Sequence, residues 1–181
     1  MKHSSALDRI AALDDELGCV NVVVETPKGS HNKYKYDGKL AVFMLGGILP
    51  AGAAFPFDFG FVPSTRGEDG DPLDVLVLLD ESVPTGCLVK VRLIGAIEAR
   101  QTEPDGKRVR NDRLLAVAPH AHTHQHIRKP GDLRPKLLDE VEAFFIDYDA
   151  QRGKHFKPLR RCGPRQATKL LEAGMTKGGS G

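Results

Sequence analysis

Glu68-Asp69-Gly70-Asp71-Pro72-Leu73-Asp74 runs straight into Val75-Leu76-Val77-Leu78-Leu79, an acidic turn feeding a continuous apolar segment. A short unbroken apolar run of this kind suits a strand covered on both faces. The three aspartates repel one another when brought close. Such a turn folds tightly only with a cation among the carboxylates, or with the carboxylates spread in water. Gly70 permits a sharp turn and Pro72 stiffens it. Hard oxygen donors suit Mg2+ or Mn2+. An EF-hand is excluded, because no glutamate stands at the twelfth position and the flanks are not helical. The local pattern alone leaves a metal site and a solvated acidic turn both open.

Working outward, residues 20–25 are β-branched and predict a strand ending before Pro27. Residues 32–36 and 40–45 flank Asp37-Gly38, a hairpin-turn signal. Residues 46–63 are rich in Gly and Pro and carry Phe55, Phe57, Phe59 and Phe61. Residues 88–99 and 113–118 predict two more strands. Helical spacing of Ala6, Leu7, Ile10, Leu13 and Leu17 predicts an amphipathic helix over 6–17. After Pro130, Leu137, Leu138, Val141, Phe144, Phe145 and Tyr148 form one apolar helix face. A last helix is expected after Pro164, ending by Gly174, with a flexible tail over 175–181. Neither a repeat nor an internal linker interrupts residues 1–181. The reading is one mainly β domain with α elements, its core over about 19–174, as a small closed barrel with helices packed on it.

A chain of 181 residues is long enough to bury a sizeable core. Its formal net charge of +2 gives no overall pull toward nucleic acid or an anionic membrane, so neither is an expected partner. Cys19, Cys87 and Cys162 are an odd, widely spaced set. They read as reduced thiols of a cytoplasmic protein rather than as a disulfide frame or zinc site. The N-terminal stretch lacks the apolar segment of a signal peptide, and no run approaches the roughly 20 apolar residues of a membrane span.

Further acidic residues are placed to join the aspartates. Glu103 follows one long strand and Asp112 precedes the next, so a hairpin between them brings both to one barrel end; Glu25 closes its own strand. Each also reads as a solvated loop carboxylate. Lys33 and Lys35 share one strand face, and Tyr148, Arg152 and Lys154 follow the apolar helix. Phosphate needs such donors, although paired lysines are often simply an exposed strand face. His120, His122, His124 and His126 alternate but lie between Pro119 and Pro130, which favours an exposed loop over a metal site; His126 also suits a subunit contact. The alternating phenylalanines could stack bases in an OB barrel. Asp58 among them and the near-neutral charge favour packing instead.

Taken in order, these segments resemble family I soluble inorganic pyrophosphatases. The resemblance is carried by Asp69-Gly70-Asp71-Pro72-Leu73-Asp74 with its Val/Leu strand, preceded by Glu25, Lys33-Tyr34 and Phe55-Pro56-Phe57-Asp58-Phe59-Gly60-Phe61-Val62-Pro63. It continues through Asn111-Asp112-Arg113-Leu114-Leu115-Ala116-Val117, Phe144-Phe145, Tyr148 and Arg152-Gly153-Lys154, covering roughly residues 19–160. It implies an OB-like five-stranded closed barrel with two or three packed helices. It also implies Mg2+-dependent hydrolysis of pyrophosphate, with Mn2+ as a substitute, and a homo-oligomer, usually a hexamer in bacterial members. Carried over by position, Asp69, Asp71, Asp74, Glu103 and Asp112 would hold metal, and Asp71 would deprotonate the attacking water. Glu25 would act through water, while Lys33, Tyr148 and Lys154 would contact phosphate.

Several positions depart from that pattern. No basic residue stands in Phe43-Met44-Leu45-Gly46-Gly47, where the family has one. Phe59 replaces a tyrosine, Leu114 a lysine and Asp149 a frequent lysine, and Glu103 stands where aspartate is common. Lost charged hydrogen bonds cost about 1.5–3 kcal/mol each, which Arg66, Arg113, Arg152, Arg160 or Arg161 could offset. Three other readings therefore stand beside pyrophosphate hydrolysis. They are an altered activity on another phosphoanhydride, a pyrophosphatase-like protein without turnover, and an OB-type polyanion-binding module.

Overall fold

The computed structural model describes residues 7–178 apart from Asp15 and Leu17. Its elements are β1 (Leu13–Asp14), β2 (Cys19–Thr26), β3 (Asn32–Asp37), β4 (Val42–Ile48), β5 (Asp58–Phe61) and β6 (Asp74–Leu78), followed by β7 (Leu88–Thr102), β8 (Arg108–Arg110), β9 (Arg113–Val117), α1 (Leu137–Ala150), β10 (His155–Cys162) and α2 (Pro164–Gly178). The strands β2-β5-β6-β9-β7 are hydrogen-bonded in that order, and β7 pairs back onto β2. The ring closes as a five-stranded OB-like barrel. The β6–β9 pair is parallel, whereas the other neighbours in the ring run antiparallel.

The continuous apolar run of β6 has a direct cause. Side chains alternate across a strand. Leu76 and Leu78 enter a core shared with Phe145 of α1, while Val75 and Val77 enter another with Ala167 and Leu171 of α2. Both faces of the strand are thus covered by helices or barrel wall. Gly60 of β5 lies so close to β2 that a Cβ there would sit 2.2 Å from Val23 O. Phe55, Phe57, Phe59 and Phe61 are all buried, so the aromatic alternation is core packing. The β3–β4 hairpin forms a separate two-stranded sheet.

Three expectations need correction. Residues 6–17 do not form a helix where they are described: a single 3-10 turn, Leu7–Arg9, precedes β1, which folds back on β2 through Gly18 at φ 62°. Ala6, Asp15 and Leu17 lie outside the described residues. Helices this short are marginal alone, and the packing of Ala12 with the α2-side core, reinforced by Asn21 Nδ2 donating to Ala11 O at 2.9 Å, prevails. Secondly, α2 continues past Gly174 to Gly178, so the expected tail is helical that far, and residues 179–181 lie outside the description. Gly174 is a packing glycine, since a Cβ there would meet Leu73 Cδ1 at 2.5 Å. Thirdly, β10 was not foreseen because Pro158 interrupts it. It is tolerated at a register shift on a strand that pairs on one side only, with β7. No helix among the described residues is long and apolar enough to cross a membrane.

Candidate active site

A cleft of about 420 Å3 opens where β2, β3, the 67–73 turn, the end of β7, the start of β9 and the end of α1 meet. Glu25, Lys33, Asp69, Asp71, Asp74, Glu103, Tyr148 and Lys154, all named from sequence, line it. Gly70 at φ 90° and the Gly67 N–H donating to Asp71 O at 2.7 Å close the acidic turn. Asp69 Oδ1 accepts the Asp71 N–H at 3.1 Å.

Protein cations already hold most of these carboxylates. Lys33 Nζ lies 2.9 Å from Glu25 Oε2, and Glu25 Oε1 accepts the Tyr36 N–H at 2.8 Å. Lys35 reaches from the hairpin to Asp71 Oδ2 at 2.9 Å, in a pair more than half exposed. Arg113 Nη1 donates to Asp74 Oδ2 at 2.6 Å and also to the Asn111 side-chain oxygen. Lys154 Nζ lies 3.0 Å from Glu103 Oε2. The Arg113 guanidinium stands 4.9 Å from the Phe145 ring centroid, and Lys33 Nζ stands 4.3 Å from that of Phe59. Arg152 donates to Tyr148 Oη at 3.0 Å.

Burial pushes Asp74 up to about 6, against the pull of Arg113 and Lys33. It also raises Asp69, Tyr148 and Asp149 above their ordinary values. Glu103 goes the other way: burial raises it, but hydrogen bonds from Gln101 and Lys154 outweigh that and hold it low.

The structure places Asp112 outside this cleft. Its Oδ1 accepts from Ala99 N and Arg110 Nη2, both at 2.8 Å, and it lines an adjoining pocket of about 370 Å3 that shares Asp69, Pro72, Asp74 and Asn111 with the cleft. Strand alternation is the reason. Arg113 lines the cleft alone, Asp112 and Leu114 line the adjoining pocket alone, and Asn111 borders both. The amide of Asn111 therefore stands where a carboxylate was expected. Arg113 is the cation near the position where Leu114 was read as a loss. Lys35, Asn111, Arg113, Arg152 and Asp149 also line it, and a two-residue period applied through residues 111–114 would have found two of them.

Among the described residues, no three His, Cys, Asp or Glu side chains converge as a ready metal cage. The donor chemistry nonetheless fits a hard divalent cation, because Asp69, Asp71 and Asp74 present only carboxylate oxygens on one short turn. Lys35 and Arg113 each occupy one oxygen of Asp71 and Asp74. His120 to His126 lie in a loop after β9, where Asp80 accepts the His122 and Thr123 backbone N–H groups at 2.6 and 2.9 Å.

Barrel and cleft together define a class: a small closed β-barrel whose one end opposes clustered carboxylates with lysine and arginine donors, a site for a phosphorylated anion and a cation. The model of the inorganic pyrophosphatase family matches residues 22–177. An inorganic pyrophosphatase of Corynebacterium efficiens is 43% identical over 137 residues, covering 75% of this chain and 83% of the relative. One from Nostoc sp. is 38% identical over 142 residues, 78% of this chain and 80% of the relative. The crystal structure of inorganic pyrophosphatase from Thermus thermophilus superposes with a TM-score of 0.86 at 30% identity, covering 97% of this chain and all of that one. The chain belongs to the inorganic pyrophosphatase family.

Proposed function

We infer that the cleft hydrolyses inorganic pyrophosphate to two orthophosphates, with Mg2+ as its cation and Mn2+ able to replace it. The observation that carries this is the Asp69–Asp71–Asp74 turn facing Lys33, Arg113, Arg152 and Lys154 across one cleft, in a chain of this family.

Asp69, Asp71 and Asp74 would hold the cation, with Glu103 at the far side of the cleft. Bound there, it would neutralise phosphate charge and make the attacking water more acidic. Asp71 is the most open of the paired carboxylates and is suited to orient that water and accept its proton. The water oxygen attacks one phosphorus as the bond to the bridging oxygen breaks, and the second phosphate leaves. Lys33, Tyr148 and Lys154 hold phosphate oxygens, and Arg113 and Arg152 supply donors near Leu114 and Asp149, where the family's pattern has lysines. Glu25, fixed by Lys33 and Tyr36 N, positions water at the inner edge.

The protein acts in the cytoplasm as a homo-oligomer, with a hexamer favoured. The thiols of Cys87 and Cys162, in no disulfide among the described residues, support the first reading. The exposed apolar hairpin residues Leu40, Val42, Met44, Leu45 and Ile48 support assembly. Phosphate release from pyrophosphate by purified protein, with Mg2+ or with EDTA, tests the reading. Release only with the metal is expected, and no release with Mg2+ or Mn2+ would sink it.

A further inference from the structure

Asp149 is a cleft carboxyl with one buried oxygen left unpartnered among the described residues. Glu25, Asp71, Asp74 and Glu103 are each held by a lysine or arginine. Asp149 is only 2% exposed, and its Oδ2 has no hydrogen-bond partner among the described residues. Arg113 is 4% exposed, and its Nε is likewise unpartnered. Both residues line the same cleft, and Arg113 leads Arg152 and Lys154 among the cations acting on Asp149.

A buried donor and a buried acceptor in one cleft specify a ligand that brings both kinds of partner. Arg113 Nε calls for an oxygen and Asp149 calls for a proton. A bare phosphate oxygen would set negative charge against the Asp149 carboxylate. Carboxyl and phosphate are compatible at close range when one proton lies between them. A phosphoryl group with one P–O–H satisfies both orphaned atoms, whereas a tetrahedral dianion without a proton satisfies only Arg113.

We propose that Asp149 is a specificity-determining residue that hydrogen-bonds the protonated oxygen of a phosphoryl group, so that the cleft selects hydrogen phosphate over proton-free tetrahedral dianions such as sulfate. Arg113, Arg152 and Lys154 neutralise the anion, and Asp149 reads its proton. This rests on the pyrophosphatase reading for the identity of the ligand, but not for the proton selectivity itself.

The test is calorimetric binding of inorganic phosphate and of sulfate to the full-length protein with Mg2+ at neutral pH, where every phosphate ion carries at least one proton. Wild type, Asp149→Asn and Asp149→Lys are compared, with folding checked by circular dichroism and pyrophosphate turnover assayed on the same preparations. Phosphate should bind at least ~10-fold more tightly than sulfate to wild type, since a site built around a hydroxyl rejects an analogue lacking it. The preference should shrink in Asp149→Asn and disappear in Asp149→Lys. If the lysine variant does not fold, the near-isosteric asparagine variant decides. Equal binding of the two anions by wild type, or an unchanged preference in folded Asp149→Asn, overturns the proposal. Preference without turnover would defeat the pyrophosphatase reading alone, and turnover without preference would defeat this inference alone.

Discussion

At the scale of single residues, the cleft separates ion pairs that support the fold from those that wait for a ligand. Arg113 is buried against Phe145 and Phe156 and satisfies Asp74. Removing one partner of a buried pair strands the other charge, at a cost of roughly 3–5 kcal/mol. Arg113→Met should therefore lower unfolding free energy by about that amount in urea titrations. The Lys35–Asp71 pair is more than half exposed, and exposed pairs contribute about 0–1 kcal/mol. Lys35→Met should leave the urea midpoint almost unmoved. Sequence reading reached Asp69, Asp71 and Asp74 because like charges at that density need a reason. It named Asp112 from its place before a strand and from the resemblance, and Asn111 carried no signal of its own. The pleat decided otherwise, sending Asp112 to Arg110 and Ala99 N on the opposite face.

At the scale of elements, Glu98 ties three strands together. It lies on β7, is 4% exposed, and accepts from Arg110 at the end of β8 and from Arg160 on β10. Burial pushes its carboxyl up, but the hydrogen bonds of Arg160 and Arg110 outweigh this and hold it below its ordinary 4.5. A depressed folded-state value contributes stability above the unfolded value, and that stability fades as pH falls through the folded one. Glu98→Gln should thus destabilise at pH 7, and its difference from wild type should shrink on acidification below about 4.5; a difference that grew instead would contradict the pairing. The strand β10 escaped sequence reading because Pro158 argues against a strand wherever the partner strand is unknown. The amphipathic helix over residues 6–17 was misread for the converse reason: local periodicity was visible, while pairing with β2 was not.

At the scale of the whole molecule, the barrel was legible because several strand signals with Gly-rich turns precede the helices, and the resemblance implies the same five-stranded barrel. Closure itself, the return of β7 to β2, lies in a pairing that no short segment announces. The hairpin was legible as a hairpin but not as a surface. Leu45 and Ile48 are 57% and 75% exposed, and water is a poor environment for such a patch. A double substitution, Leu45→Asp with Ile48→Asp, should reduce the mass found by light scattering to that of a smaller assembly. An unchanged mass would contradict the proposal that the hairpin carries assembly.

In the proposed reaction Asp71 takes the proton of the water that cleaves pyrophosphate in a cation-loaded cleft. Phosphate release by wild type and Asp71→Asn, each with Mg2+ and with EDTA, addresses it most directly. Wild type should release phosphate rapidly only with Mg2+, and the folded variant should lose roughly 100-fold or more, the scale of a general base. Comparable release by Asp71→Asn, or release by wild type in EDTA, would contradict it.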